Sequence, residues 1–225
     1  MIKIKNLTKK YKNQIVLDVQ NFSIFDGEFI AIIGESGSGK STFLNLLSGL
    51  DSPTTGEILV DGFNIMRYSD SKMSKYRRDK IGFVFQFFYL QPFLTINNNI
   101  QAAAFPSRLK SKERIERAVL LAKMVGLEDK LNSYPKELSG GQIQRAAIAR
   151  SLINSPEILF ADEPTGNLDS ENSQQIINLL LAIKNQTGMT LVVVTHNDEI
   201  AQKADRIVKL KDGKIVESVN QNVEN

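Results

Sequence analysis

One segment constrains the fold of this chain more than any other: residues 34–41, which have the sequence GESGSGKS. It matches the pattern GxxxxGK[ST], in which glycines let backbone N–H groups turn inward around phosphate oxygens. An apolar run precedes it, and apolar residues at helical spacing follow it from Phe43 onward. A strand, a loop and a helix in this order place the positive end of a helix dipole at the loop. The segment therefore predicts a phosphate-binding loop, because a glycine-rich turn of no special use would not require that context.

The side chains of this loop have separate predicted roles. Lys40 should reach the β- and γ-phosphates of a nucleotide, and the Ser41 hydroxyl should bind Mg²⁺. The predicted nucleotide-binding residues are the loop and the residue after it: Gly34, Glu35, Ser36, Gly37, Ser38, Gly39, Lys40, Ser41 and Thr42.

The order of strands and helices predicts an α/β fold. Apolar, β-branched runs such as residues 190–194 alternate with helical segments in the second half of the chain, which indicates a covered, mostly parallel sheet. Asp61-Gly62 is a strong hairpin signal, and the chain starts with polar and apolar residues in alternation. We therefore predict a P-loop NTPase (RecA-like) core with an N-terminal antiparallel β layer and a helical insertion.

A single domain, residues 1–225, is expected, since 225 residues with 42% hydrophobic content suit a globular protein with a core. The predicted core covers about residues 1–87 and 157–219, and the helical insertion covers about 88–156. Residues 220–225 form a predicted polar tail.

Composition excludes several functions. The chain has no cysteine and one histidine, so thiolate chemistry and a histidine metal cluster are impossible. A net charge of +3 gives little support to nucleic-acid binding, which usually needs a clustered basic face. No stretch approaches the ~20 apolar residues of a transmembrane helix. If the protein works at a membrane, we expect another chain to span it.

Asp162 and Glu163 follow an apolar run that starts at Ile158. The strand would carry both acids to its C-terminal end, where ligands bind in open α/β sheets. Asp162 can hold Mg²⁺ through water, and Glu163 can act on the attacking water, as a general base or by orienting it. A solvated acidic pair is the alternative, which the upstream phosphate loop disfavours.

Three further side chains have no single interpretation from their chemistry alone. His196 ends a predicted strand, where it either contacts the γ-phosphate and attacking water or is an ordinary surface residue. Gln86 also ends a strand, and its chemistry alone does not assign it a function. Tyr11 either stacks on adenine or packs on the N-terminal sheet; for stacking, Tyr11→Phe should be nearly silent because both rings offer a π-face.

The sequence LSGGQ at residues 138–142 lies between the phosphate loop and the acidic pair. Together these motifs resemble the ATP-binding cassette (ABC) family of ATPases, and the likeness covers nearly the whole chain. The motifs occur in family order: Tyr11, residues 34–42, Gln86, residues 138–142, residues 158–163, residues 167–169 and His196.

The resemblance implies ATP and Mg²⁺ as cofactors and a role for each motif. The catalytic residues would be Glu163, His196, Lys40 and Gln86, and the metal ligands Ser41, Gln86 and Asp162. Tyr11 would stack on adenine. ATP held by one subunit would be contacted from the opposite subunit by Ser139, Gly140, Gly141 and Gln142, with Asp169 at the contact between the two copies.

A narrower likeness points to the lipoprotein-release and macrolide-export group, through residues 77–86 and 163–170. Asn97-Asn98-Asn99 is a departure, because this group more often has an acid before the last asparagine. The family also implies that some of the aromatic residues after Gln86, among them Phe88 and Phe93, line a groove for a short helix of a membrane subunit.

The leading hypothesis is an ATP-hydrolysing subunit of a membrane ABC complex. Two copies would close around two ATP and drive conformational change in separate transmembrane permease subunits, for export or extraction of substrate from the membrane. Such a subunit would be peripheral, on the cytoplasmic face of the cell membrane, with no nucleic-acid partner. Alternatives are a soluble ABC ATPase acting on DNA or ribosomes, a simple P-loop kinase and a non-hydrolysing nucleotide-gated scaffold.

Overall fold

The computed structural model of this chain describes residues 1–107 and 109–221. Its strands are β1 (Ile2–Tyr11), β2 (Gln14–Ile24), β3 (Phe29–Ile33), β4 (Thr55–Val60), β5 (Phe63–Asn64), β6 (Ile81–Val84), β7 (Ile158–Asp162), β8 (Thr190–Val194), β9 (Arg206–Lys211) and β10 (Lys214–Asn220). Its helices are α1 (Lys40–Leu47), α2 (Asp70–Lys80), α3 (Ile96–Ala102), α4 (Ser111–Met124), α5 (Gly140–Leu152), α6 (Ser170–Thr187) and α7 (Asp198–Ala201).

The chain divides into two compact units. The first contains residues 1–77 and the chain from Gly188 onward, and the second contains residues 78–187. The core and insertion boundaries predicted from the sequence do not coincide with the boundaries of these two units, and they stay a prediction. Strand β10 continues to Asn220, so the predicted polar tail begins on the last residue of a strand, and residues 222–225 lie outside the described part of the chain.

The N-terminal strands of the first unit form an antiparallel sheet in the order β2-β1-β4-β5. Ile2, Ile4, Leu7 and Lys9 of β1 are buried, as one covered face requires, and the alternation shifts by one residue after Ile4, where the pairing with β4 is irregular. Asp61 and Gly62 have φ of 51° and 82°, the left-handed values that a two-residue hairpin turn needs. The predicted hairpin and antiparallel layer are confirmed.

The first unit also contains a parallel sheet. Strand β3 lies between β8 and β9 and is parallel to both, and β10 is antiparallel to β9. Every residue of β8 is buried, because the strand is covered on both faces. Since β3 and β8 run in the same direction, the residues after each strand lie at the same edge of the sheet.

The second unit contains the parallel pair β6 and β7 and the helices α3 to α6. Helices α3, α4 and α5 pack against one another, as predicted for a helical insertion, and α5 also packs against α6 and β6. Gly126, with φ of 70°, follows α4 and ends its last turn.

No helix in residues 1–107 or 109–221 is long and apolar enough to cross a membrane.

A largely buried ion pair stabilises the edge of the first unit. The carboxylate of Glu28 lies 2.8 Å from the Arg206 guanidinium, and the two side chains are only 11% and 12% exposed. Arg206 also donates to the Ser23 carbonyl oxygen at 2.6 Å and lies over the ring of Phe22.

We expect Glu28→Gln to lower the free energy of unfolding by about 3–5 kcal/mol, because it leaves the Arg206 charge buried without its partner. The measurement is urea unfolding followed by far-UV circular dichroism, since the chain has no tryptophan. Glu57→Gln is the control: its pair with Arg67 is exposed and should be worth about 1 kcal/mol or less. Equal losses in both variants would contradict the assignment.

Candidate functional site

The residues predicted for the site divide between the two units. The first unit carries the residues that would hold a nucleotide's base and phosphates: Tyr11, residues 34–42 and His196. The second unit carries the predicted acids, the strand-end glutamine and the LSGGQ segment: Gln86, Ser139, Gly140, Gly141, Gln142, Asp162 and Glu163.

Residues 34–39 connect β3 to the start of α1, and the glycines are required by their surroundings. A Cβ on Gly34 would lie 2.2 Å from the Leu210 carbonyl oxygen, and one on Gly39 would lie 2.8 Å from the Val16 carbonyl oxygen. Gly37 and Gly39 also have positive φ, 80° and 99°. The loop is therefore pressed against β9 and β2 and can adopt this curvature only without side chains at these positions.

Two polar side chains of the loop are arranged for a ligand. The Lys40 ammonium donates to the carbonyl oxygens of Gly34 and Glu35, at 2.8 Å each, and spans the loop. The Ser38 hydroxyl is buried and has no hydrogen-bond partner within the described residues. A buried polar atom without a partner is costly, and an anion held by the loop would satisfy it.

His196 and Tyr11 lie beside the loop in different ways. The Thr195 N–H donates to the Ile32 carbonyl oxygen at 3.1 Å, which extends the β8–β3 pairing and leaves His196 exposed at the same edge as the loop. Tyr11 ends β1, and its hydroxyl contacts the side chain of Thr42 in the first turn of α1. Both side chains are thus placed in the first unit where a nucleotide ligand could meet them.

Asp162 and Glu163 stand at the end of β7, as predicted. Glu163 has φ of 45°, a conformation that costs energy in a residue other than glycine and that occurs often at functional sites. Its carbonyl oxygen accepts the Gly166 N–H at 3.0 Å. A Cβ on Gly166 would lie 3.4 Å from Gln86 Nε2 and 3.6 Å from the Glu163 Cβ. The structure therefore brings Gln86 and Glu163 together around a tight turn.

The LSGGQ segment forms the start of α5. Ser139 is the N-cap residue, and its hydroxyl accepts the Gln142 N–H while the Gln142 side chain accepts the Ser139 N–H at 3.0 Å. This capping box fixes both side chains. The N–H groups of the first turn, including those of Gly140 and Gly141, have no partner inside the helix, so the segment offers the positive end of a helix dipole.

Helix α5 contacts two other functional segments through side chains further along it. The amide of Gln144, which is fully buried, donates to the carbonyl oxygen of Pro164, the residue after Glu163, at 2.7 Å. Arg150 donates to the carbonyl oxygens of Phe88 and Tyr89, at 2.9 and 2.6 Å. Burial lowers the pKa of the Arg150 guanidinium from its ordinary value.

Asp169 has a local role in the second unit. Its carboxylate accepts the backbone N–H of Asn172 at 2.8 Å and the Asn172 side-chain amide at 2.8 and 3.0 Å. These hydrogen bonds hold the pKa of Asp169 below its usual range. A Cβ on Gly141 would lie 2.6 Å from the Asn172 Oδ1 atom. The second glycine of LSGGQ is thus packed directly on an amide that Asp169 immobilises.

Sequence reasoning missed the residues that hold the predicted ones in place. Asn172 and Arg150 occupy ordinary helical positions, and Asp51 follows α1 in a turn; no motif marks any of the three. The available signal was a polar residue close to a motif: Asp51 follows the helix that begins at Lys40.

A phosphate loop after β3, with an acidic pair at the end of β7, defines a P-loop nucleotide hydrolase of α/β fold, as predicted. The family model described as "ABC transporter" matches residues 17–166. The chain therefore belongs to the ABC transporter family and is an ABC-type ATPase domain.

Several relatives match almost the whole chain. The ABC transporter ATP-binding protein MJ0796 of Methanocaldococcus jannaschii is 46% identical over 96% of this chain and 95% of its own length. Its dimeric structure in a post-hydrolysis state, bound to ADP and Pi, aligns with a TM-score of 0.91 at 43% identity, covering 100% of both chains.

Two relatives belong to the group suspected from the sequence. The lipoprotein-releasing system ATP-binding protein LolD of Syntrophus aciditrophicus is 44% identical over 96% of this chain and 99% of its own. The macrolide export ATP-binding/permease protein MacB of Pasteurella multocida is also 44% identical, over 99% of this chain but only 35% of its own length.

The contact between Gly141 and Asn172 can be tested by compensation. We expect Gly141→Ala to lower the free energy of unfolding by about 1–3 kcal/mol, because its Cβ would overlap the Asn172 amide. Adding Asn172→Ala should restore most of the loss, as measured by urea midpoint. Gly140→Ala is the matched control, since a Cβ there meets nothing nearer than Leu168 at 3.4 Å. A double variant no more stable than Gly141→Ala would refute the contact.

Proposed function

We propose that this chain is the ATP-binding and ATP-hydrolysing subunit of a membrane ABC complex, and that two copies dimerise around two ATP molecules. The observation that carries the proposal is the placement of Glu163 at the end of β7, beside Gln86 and on the same unit as the LSGGQ helix α5. Hydrolysis needs a side chain that orients the attacking water or accepts its proton, and nucleotide binding alone needs no such group. The dimeric MJ0796 cassette in its post-hydrolysis state supports this proposal.

The phosphate loop suits the phosphates of ATP. The positive φ of Gly37 and Gly39 supports a concave loop whose N–H groups face an anion. The buried Ser38 hydroxyl could bond a phosphate oxygen, and Lys40 carries the positive charge that the β- and γ-phosphates require. Tyr11 offers an exposed ring near the start of α1 for the adenine base.

The proposed metal ligands fit Mg²⁺ by their chemistry. Ser41, Gln86 and Asp162 supply hydroxyl, amide and carboxylate oxygens, the hard donors that this ion prefers. The described residues contain no group of three or more acidic, histidine or cysteine side chains that could hold a metal without a nucleotide. This agrees with Mg²⁺ held by one or two carboxylates and by phosphates. When bound, the ion neutralises charge on the phosphate oxygens.

Hydrolysis proceeds by attack of a water oxygen on the γ-phosphorus, with cleavage of the bond to the leaving ADP oxygen. Glu163 orients this water and accepts its proton, while Lys40 stabilises the charge on the transferring phosphoryl group. Gln86 and His196 position the water and the γ-phosphate. The protein therefore contributes mainly positioning and electrostatic stabilisation, which dominate phosphoryl transfer.

The signature segment acts on the nucleotide of the second copy. The N–H groups at the start of α5 that have no partner inside the helix, near Gly140 and Gly141, and the dipole of that helix favour a negatively charged ligand. With the side chains of Ser139 and Gln142 fixed in the capping box, we assign this end of α5 to the γ-phosphate bound by the other subunit.

The membrane partner is a separate transmembrane subunit that docks on the aromatic segment, residues 87–93. Phe87, Tyr89 and Phe93 in this segment are exposed, and Phe93 is 72% exposed. Isolated exposed side chains are common, but adjacent aromatic ones are typical of interaction sites. The likeness to LolD and MacB favours export or extraction of a substrate, and it supports a peripheral position of this subunit on the cytoplasmic face of the membrane.

Glu163→Gln should lower ATP turnover by about 100-fold or more, because an amide accepts no proton from the attacking water. ATP binding should persist, and the variant should form an ATP-dependent dimer of the 25.2 kDa chain, measured by light scattering. Glu171→Gln, an exposed acid in the first turn of α6, is the control and should hydrolyse ATP normally. Turnover of Glu163→Gln at the wild-type rate would exclude Glu163 as the catalytic group.

Phe93→Ser should weaken co-purification with the transmembrane subunit, by ~2 kcal/mol or more if the ring is an anchor of the contact. The isolated variant should remain folded and bind ATP, because the wild-type ring is already exposed. Phe63→Ser is the control, since Phe63 is exposed in β5, outside the aromatic segment. Normal assembly of the Phe93 variant would argue against docking at this position.

A further inference from the structure

A network of charged and polar side chains joins the end of β1 to the turn after α1. The Tyr11 hydroxyl donates to Asp51 Oδ2 at 2.6 Å, and the Lys9 ammonium donates to Asp51 Oδ1 at 2.6 Å. Lys9 also donates to the Ser52 carbonyl oxygen at 2.6 Å. The N–H of Asp51 donates to the Asn45 carbonyl oxygen of α1 at 3.1 Å. Asp51 is thus fixed to the helix that starts at the phosphate loop.

Lys9 also contacts the Tyr11 ring directly. Its ammonium lies 4.8 Å from the ring centroid, within the range of a cation–π interaction. The Lys9 side chain is only 11% exposed, whereas Tyr11 as a whole is 47% exposed. Because the ammonium lies over one side of the ring, a base can stack only on the opposite side. The network therefore selects which side of the ring a ligand can meet.

In the hydrogen bond between Tyr11 and Asp51, the phenol is the donor and the carboxylate is the acceptor. Donation to Asp51 is the main cause that raises the pKa of the Tyr11 phenol, and burial adds to it. Burial of Asp51 acts to raise its pKa, but the hydrogen bonds from Lys9, Tyr11 and the Ser52 N–H together hold that pKa below its usual value. At neutral pH a neutral phenol therefore donates to an ionised carboxylate.

We infer that Asp51 is a positioning residue that orients the Tyr11 ring, with Lys9, so that the ring meets the adenine base of a nucleotide held by the phosphate loop. The inference rests on the proposed function, in which Tyr11 is the surface for adenine. It changes one expectation from the sequence. Tyr11→Phe keeps the π-face but loses the bond to Asp51, so it should not be silent.

The test compares binding of ATP with binding of inorganic tripolyphosphate, which has no base, by isothermal titration calorimetry on the whole chain. Tyr11→Phe and Asp51→Ala should each raise the Kd for ATP about three- to tenfold, the value of one hydrogen bond that fixes a side chain. The double variant should lose less affinity for ATP than the sum of the two single losses, because both changes remove the bond between Tyr11 and Asp51. The Kd for tripolyphosphate should not change.

The control is Tyr68→Phe, which removes a phenol hydroxyl of the first unit outside this network and should leave both Kd values as in wild type. If Asp51→Ala does not fold, Tyr11→Phe alone carries the test. Wild-type ATP affinity in Tyr11→Phe, together with weak ATP binding in Tyr11→Ala, would overturn the role of Asp51 and leave Tyr11 as the adenine surface. Wild-type ATP affinity in Tyr11→Ala would overturn that surface itself. Equal losses for ATP and tripolyphosphate would overturn the inference, since the effect would then not involve the base.

Discussion

Helix α5 contacts three segments of the second unit that carry or adjoin predicted site residues. Its first turn is the LSGGQ cap, and Gly141 in that turn packs on Asn172, which the Asp169 carboxylate holds. One turn further, Gln144 bonds the backbone of Pro164 directly after Glu163. At its other end Arg150 bonds the aromatic segment. Because these are hydrogen bonds to backbone carbonyl oxygens or contacts at a missing Cβ, a small rotation of α5 would disturb all three segments together.

In the first unit, close backbone contacts hold the predicted site residues in place. Its phosphate loop makes few side-chain bonds and is shaped by close backbone contacts, because Gly34 and Gly39 leave no room for a Cβ against β9 and β2. The Gly213 N–H adds a bond to the Ser38 carbonyl oxygen at 3.0 Å, from the turn between β9 and β10. A loop held by its own backbone keeps its shape before any ligand arrives, which reduces the ordering cost of binding.

The sequence predicted most of this fold because local signals and burial agreed. The turn at Asp61-Gly62 and the strand β7 each carry a clear sequence signal, and both were predicted. Helix α2 was missed, because among its residues only Tyr76 is buried and an apolar face is lacking. Strand β2 begins at Gln14, and pairing with β1 rather than hydrophobic alternation defines its first half. The supporting residues of the site, such as Asn172 and Asp51, could not be predicted, because each acts through a contact distant in sequence.

The strained backbone of Glu163 is a further constraint on the second unit. A left-handed backbone in a glutamate costs of order 1–3 kcal/mol and persists only where the surroundings impose it. Here the Gly166 N–H bonds the Glu163 carbonyl oxygen, and Gln144 bonds the next carbonyl, so two hydrogen bonds hold the turn that begins at the strained residue. The Asn167 side chain bonds the carbonyl oxygen of Gln86 at 2.9 Å and connects that residue to the same turn. A relaxed backbone at Glu163 would change the direction of its Cα–Cβ bond, so the strained conformation fixes where the side chain leaves the chain at the end of β7.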